Sequence, residues 1–330
     1  LDRVGSIWDA VGHTPLIRIK SLSDLCGCHI FGKAEFLNPG GSIKDRAAKG
    51  IISKAEREGR LQPGGTIVEG TAGNTGIGLA TLAVERGYKV LLTMPNNQAA
   101  EKYQILEAIG AEVRKVAPCP FANQDHFYHQ ASRLAKSLDN AIWADQFENT
   151  ANAEAHYQAT GPEIFEQLEG KVDVLVSAAG TGGTIGGVSR FLKEKNSNTQ
   201  VVVADPAGSG VHDYFKTGDF TGEGSSVTEG IGIKRLTANL AQAIVDDALR
   251  IDDQTMIDML FHVAKNDGLF LGTSSALNLA GALRVGLRYR GSGKNIVTFL
   301  CDHGSRYASK LLDPAWRKKT ELEPRPLELG

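Results

Sequence analysis

Two kinds of hydrophobic spacing alternate along this chain. Short, nearly continuous apolar runs occur at "TIVEG" (66–70), "KVLLTMP" (89–95), "EVRKVA" (112–117) and "AIWADQF" (141–147). The series continues with "VDVLVSAA" (172–179), "VVVADP" (201–206) and "IVTFLCD" (296–302). Between them lie "TGIGLATLAVERG", "QAAEKYQILEAIG", "DHFYHQASRLAKSL" and "GTIGGVSRFLKEK", whose apolar positions recur near the helical period. Gly87 and Gly110 close two of these segments, as glycines do at helix C-termini. Strands that are apolar throughout need cover on both faces, so repeated β-α units predict parallel sheet between layers of helix, an α/β fold. The Gly-, Ser- and Thr-rich "KTGDFTGEGSSVTEGIG" (216–232) predicts a long functional loop. The tail "KKTELEPRPLELG" is charged and Pro-punctuated, which predicts a peripheral segment.

On this frame, "NPGGSIKDRAA" (38–48) sets Lys44 after two glycines and a serine. It follows the strand-like "HIFGKAEFL" and opens the helix-like "DRAAKGIISKAEREG". Such junctions are where open α/β folds place their chemistry. In "VLVSAAGTGGTIGG" (174–187) a buried strand runs through a glycine-rich turn into a helix, with five glycines in the eight residues 180–187. Backbone N–H groups there can close around a phosphate, aided by the helix dipole and by the Thr181 and Thr184 hydroxyls. Ile185 stands where a dinucleotide fingerprint needs its third glycine, and no Gly-Lys-Ser/Thr marks a nucleotide triphosphate loop. "EGTAGNTGIGLA" (69–80) repeats the architecture and offers Thr71, Asn74 and Thr75 at a helix start, where ordinary capping is the competing role. "LFLGTSSALNLAGAL" (269–283) approaches a nucleophile elbow, but Ala276 replaces its final glycine. His126 and His129 share a helix face without a third ligand within sequence reach, so no metal site is expected. A phosphate cradle, a second anion pocket, an isolated serine pair and a lysine at a glycine turn are the parts needed to hold a phosphorylated aldehyde, pyridoxal 5'-phosphate.

Bulk properties narrow the partners. At 330 residues there is room for two α/β domains or one large one, and 42% hydrophobic residues suit a globular core. A net charge of -2 gives no electrostatic reason to expect nucleic acid or an acidic membrane as partner. No apolar run reaches membrane-span length, and Leu1 at the start leaves room for a removed leader. Cys26, Cys28, Cys119 and Cys301 are too few for a disulfide framework, which predicts a reducing compartment such as the cytosol.

Over nearly its full length the chain resembles the fold-type II pyridoxal-phosphate enzymes. The resemblance is specifically to the cysteine synthase (O-acetylserine sulfhydrylase) family, with cystathionine β-synthase as a close relative. The matching pieces, in order, are "GHTPLIRI", "KAEFLNPGGSIKDRAA", "EGTAGNTGIGLA", "QFENTANAEAHYQATGPEI", "GTGGTIGGV", "TEGIG", "GTSSA" and "CDHGSRYASK". The resemblance implies two open, twisted, mostly parallel sheets flanked by helices. It places a smaller domain at 45–150, with a movable part near 90–135, and a larger phosphate-binding domain at 1–44 and 151–330. Lys44 would carry the cofactor covalently and shuttle the substrate α-proton, and Asn74 would hold the ring 3'-oxygen. Gly180, Thr181, Gly182, Gly183 and Thr184 fall on the phosphate loop, and Ser275 on the partner of the pyridine nitrogen. Thr71, Ala72, Gly73, Asn74 and Thr75, helped by Gln146, would grip the substrate carboxylate. Residues 229–232, Gly230 among them, would line the mouth.

Departures from the pattern are Ala72 for a serine, His13 for an asparagine, and Thr273 and Ala276 within "GTSSA". Asp302 and His303 replace a serine pair, which puts Asp302 within possible reach of the ring nitrogen. A serine there keeps the ring neutral and favours β-elimination over racemisation or transamination. The implied reaction is O-acetyl-L-serine plus sulfide to L-cysteine and acetate. The alternatives are condensation of serine with homocysteine and a catalytically silent binding subunit. A homodimer and the C-terminal tail of a serine acetyltransferase are the implied protein partners.

Overall fold

The computed structural model describes residues 3–327. Ten strands and twelve α-helices alternate along them. The strands are β1 (Leu16–Arg18), β2 (His29–Lys33), β3 (Thr66–Gly70), β4 (Lys89–Pro95), β5 (Glu112–Val116), β6 (Ala141–Trp143), β7 (Val174–Ser177), β8 (Gln200–Pro206), β9 (Asp247–Ile251) and β10 (Asn295–Phe299). Helices α1 (Lys20–Cys26), α2 (Lys44–Arg57), α3 (Asn74–Glu85), α4 (Ala100–Ile109), α5 (Phe127–Lys136) and α6 (Ala151–Ala155) fall in the first half. Helices α7 (Gly161–Gln167), α8 (Gly183–Lys195), α9 (Val211–Thr217), α10 (Asp253–Asp267), α11 (Thr273–Arg288) and α12 (Pro314–Thr320) fall in the second.

The strands form two sheets. One has six strands in the order β1-β2-β10-β7-β8-β9, parallel except for the β1–β2 pair; the other has four parallel strands in the order β5-β4-β3-β6. Each is covered on both faces, as its apolar strands require. On the larger sheet, one apolar layer joins α1, α10 and α11 to Val174, Val176, Val202 and Ala204. The opposite layer joins α8 to Leu175, Val201, Val203 and Val297, the neighbouring residues along the same strands. The smaller sheet packs its other core through Ile51, Ile52, Ile77 and Leu82 of α2 and α3. All four of its strands lie within 45–150, and all six of the larger sheet lie outside that span.

The predicted strands recur with shifted ends. The run at 141–147 pairs only as far as Trp143, because Asp145 takes a left-handed φ of 48° and leads the chain out of the sheet. β1 and β9 carry no strong apolar signal: "LIR" is short, and "DALRI" has two charged residues among its five. Gly87 and Gly110 adopt φ of 70° and 88° just after their helices, the left-handed turn that glycine permits without steric cost. Residues 218–239 form a long loop without regular structure. Of the charged tail (318–330), residues 318–320 end the helix Pro314–Thr320 and Leu322 is buried, while residues 328–330 lie outside the described residues. Among the described residues no helix is long and apolar enough to cross a membrane, and the four cysteines are unpaired.

Candidate active site

Lys44 begins α2, immediately after a sharp turn. Gly41 adopts φ of 78°, and a side chain there would strike the Arg306 guanidinium at 2.7 Å. Gly40 packs as closely on Asp45, whose carboxylate accepts the Gly40 N–H at 2.5 Å. Ser42 pairs with Asp302, and Ile43 N–H donates to Cys301 O at 2.9 Å, so the turn is fastened to the chain leaving β10. The amine of Lys44 therefore enters the space between the two sheets. Burial lowers its pKa, with Cys301 and Asp302 pulling weakly in the opposite direction.

That space is a cavity of about 380 Å³. Lys44, Thr71, Ala72, Gly73, Asn74, Thr75, Gln146, Gly180, Thr181 and Gly230 all line it, although they come from widely separated parts of the chain. A smaller recess of about 30 Å³ continues from Lys44, Gly180 and Thr181 to Gly182 and Thr184, at the N-terminus of α8. The glycines of this turn have no room for a side chain. A Cβ on Gly180 would meet Gly230 O at 2.2 Å, one on Gly182 would meet Leu240 Cα at 2.4 Å, and one on Gly183 would meet Asn152 Oδ1 at 2.1 Å. Asn152 Nδ2 donates to Thr181 Oγ1 at 2.9 Å. His156 lies between Thr160 and Thr184, with its ring nitrogens 2.9 and 3.2 Å from their hydroxyls. Burial, then Arg46 and Lys44, hold its pKa well below the ordinary histidine value, so the ring is neutral.

The Asn74 amide is fixed from both ends. Nδ2 donates to Asp302 Oδ2 at 2.7 Å, and Oδ1 accepts from Arg306 Nη1 at 2.6 Å. The second amide hydrogen of Asn74 remains for the cavity. Asp302 also accepts from the Tyr307 hydroxyl at 2.6 Å, and its other oxygen lies against Gly272. It thus faces Asn74 and Tyr307 and does not line the cavity, contrary to the expectation that it approaches the ring nitrogen.

The serine pair also requires a correction. Ser275 is fully buried, and its Oγ accepts the Cys301 N–H at 2.8 Å. Ser274, one residue earlier on α11, lines the cavity instead. Other participants were not apparent in the sequence because their partners are remote. Glu229, in the predicted mouth segment, pairs with Lys102 at 2.5 Å and with Lys310. Burial opposes the charge on Glu229, but the two lysines hold its pKa below the usual carboxyl value. His126 caps α5 by accepting the Tyr128 N–H at 3.3 Å, and His129 Nε2 lies 2.7 Å from Phe121 O. No three His, Cys, Asp or Glu side chains converge on a metal geometry among the described residues.

A lysine amine, a glycine-walled anion recess and a helix-start loop thus share one cavity between two parallel sheets. The family model described as "Pyridoxal-phosphate dependent enzyme" matches residues 7–302. Cysteine synthase 1 of Neurospora crassa is 48% identical over 318 residues, spanning 95% of this chain and 84% of that protein. The cysteine synthase of Dictyostelium discoideum is 47% identical over 320 residues, spanning 94% and 84%. Among solved structures, the O-acetylserine-dependent cystathionine β-synthase of Helicobacter pylori superposes with a TM-score of 0.84 at 30% identity, covering 93% of this chain and 98% of that one. This chain belongs to the family of pyridoxal-phosphate-dependent enzymes, within its cysteine synthase and cystathionine β-synthase branch. The cofactor is pyridoxal 5'-phosphate, and the residues present suit it. The glycine turn packs too closely for side chains, its N–H groups and the Thr181 and Thr184 hydroxyls suit an anion in the recess, and Lys44 lines both the recess and the larger cavity.

Proposed function

We propose that this enzyme replaces the acetoxy group of O-acetyl-L-serine with sulfide, giving L-cysteine and acetate. The observation that carries the reading is the placement of Lys44: a buried amine of lowered pKa in one cavity with the glycine recess and the Thr71–Thr75 loop. Lys44 Nζ would hold the cofactor aldehyde carbon covalently. Gly180, Thr181, Gly182, Gly183 and Thr184 would hold its phosphate, Asn74 its ring oxygen, and Ser274 its ring nitrogen. When bound, the cofactor supplies an electron sink next to the substrate α-carbon.

The residues of the chain supply the rest. The backbone of the Thr71–Thr75 loop binds the substrate carboxylate at the start of α3, where N–H groups point outward. Ala72 contributes no hydroxyl there, so the grip depends on backbone donors and on neighbouring Thr71, Thr75 and Gln146. Lys44, neutral in part because it is desolvated, takes the α-proton and later returns it. Ser274, a neutral hydroxyl, would leave the ring of a bound cofactor unprotonated, which would favour loss of the β-substituent. Lys102 and Glu229 both line the cavity, and their bridge to Lys310 fastens that wall, which would limit water around the bound substrate. The family resemblance further supports a homodimer, a serine acetyltransferase tail as partner, and a cytosolic location or an organellar one after leader removal.

The test is to load the purified chain with pyridoxal phosphate and supply O-acetylserine plus sulfide, or serine plus homocysteine. Cysteine formed rapidly from the first pair supports the reading. Cystathionine formed from serine, with no cysteine from the first pair, replaces it with the condensation reaction.

A further inference from the structure

Glu69 sits in β3, one residue before Gly70, and is completely buried. One of its oxygens accepts the backbone N–H of Gln146 at 3.2 Å, and the other accepts an Nε2 hydrogen of the same residue at 3.3 Å. The second Nε2 hydrogen goes to Gly70 O at 3.1 Å. The Gln146 carbonyl is thereby turned toward Thr75, whose hydroxyl donates to it at 2.5 Å. In this orientation neither the Gln146 amide nor the Thr75 hydroxyl has a hydrogen left for the cavity that both residues line. A carboxylate only accepts, so a substrate carboxylate needs donors from that wall.

Reversing the Gln146 amide would supply them. Its nitrogen would then face Thr75 and the cavity, and the Thr75 hydroxyl hydrogen would be released as well. The Gln146 carbonyl would in turn replace Nε2 beside Glu69 and Gly70 O; it must swing off Gly70 O, a fixed acceptor, and it tolerates Glu69 only if that carboxyl carries a proton.

We propose that Glu69 is a positioning residue for substrate binding: when the carboxylate enters, Glu69 is held protonated, drawing the proton from solvent wherever it was ionised, and its O–H donates a hydrogen bond to the reversed Gln146 carbonyl. The inference rests on the cysteine synthase reading and specifies how that site recognises its amino-acid substrate. The groups around Glu69 suit the exchange. Burial, then Asp145, push its carboxyl up to about 8, so the proton is largely in place near neutral pH and must be taken up above pH 8. Asp145 follows β6 and is itself faced by Tyr128 of α5, Glu148 and Arg235. From β4 the register partners are Leu92 and Thr93, neither of which titrates, and α3 contributes Thr75. An arriving carboxylate adds negative charge and drives protonation in the same direction.

The probe is propionate, a carboxylate without a titrating amine, added to the holoenzyme. Affinity is followed by cofactor absorbance, and proton uptake by calorimetry in buffers of different ionisation enthalpy. For the wild type, uptake approaches one proton at pH 9, and affinity falls about tenfold for each pH unit above 8. Glu69→Gln, which carries its own N–H donor and no titrating group, binds propionate without uptake and with a flat profile. Gln146→Met removes the amide that links Glu69 to the cavity and loses the same pH dependence, so the test survives if one variant misfolds. Wild-type uptake that persists in both variants, or is absent from a competent holoenzyme, overturns the inference alone. A wild-type chain that binds no pyridoxal phosphate removes the functional reading and this inference together.

Discussion

A lysine transfers a proton only when its amine is neutral for part of the time, and burial beside the cavity creates that condition for Lys44. Lys44→Ala is expected to cost at least about 10²- to 10⁴-fold in turnover, the usual weight of one acid–base group, measured as cysteine formed per minute. Lys44 was legible because its setting is local: two glycines, a strand before it and a helix after it. The serine of the ring nitrogen was not. Ser274 and Ser275 both open α11, and one residue of helix turns the side chain by about 100°. Only the packing of α11 against the chain after β10 decides which hydroxyl faces inward. The two serines should therefore respond differently. Ser275→Ala leaves the Cys301 N–H without a partner, which costs about 1–3 kcal/mol of stability while largely sparing the cofactor spectrum. Ser274→Asp is expected to shift the cofactor spectrum and depress β-replacement in the loaded enzyme. Thermal unfolding and absorbance of the two proteins separate the cases.

At the scale of elements, the glycine run was readable as an anion loop because strand, turn and helix follow in order. What the run alone did not reveal is why each glycine is needed. Gly183 is held to glycine by Asn152 of α6, thirty-odd residues upstream, and Gly180 by the mouth loop at Gly230. Gly183→Ala would put a methyl 2.1 Å from Asn152 Oδ1 and push the start of α8 away from the recess. A rise of at least about tenfold in the dissociation constant for pyridoxal phosphate is expected, equivalent to about 1.4 kcal/mol, by fluorescence titration of the apoprotein. The strands that escaped the hydrophobic pattern, β1 and β9, lie at the two edges of the larger sheet, where one neighbour is missing and continuous apolarity is not demanded.

For the whole molecule, buried ion pairs tie the parts that carry the site. Glu163 of α7 joins Arg46 of α2 and Lys33 of β2, each at 2.7 Å. Burial opposes its ionisation, yet Arg46 and Lys33 hold its pKa at about 2, against an ordinary value of 4.5. A depressed carboxyl stabilises the fold above its unfolded pKa. Its contribution, on the order of 3 kcal/mol, is therefore complete above pH 4.5 and lost as pH falls toward 2. Glu163→Gln should flatten the fall of stability across that window, read from urea unfolding at stepped pH. None of these partnerships was visible in the sequence, since the partners are 117 and 130 residues apart in the chain. The site was legible wherever its chemistry is written in contiguous turns, and hidden wherever it depends on how distant turns meet.

Because Lys44 would hold the cofactor through a covalent bond, the decisive measurement is borohydride reduction of the pyridoxal-phosphate-loaded enzyme followed by peptide mapping. A single stable phosphopyridoxyl group is expected, on Nζ of Lys44. Labelling of another side chain, or none at saturating cofactor, would contradict it.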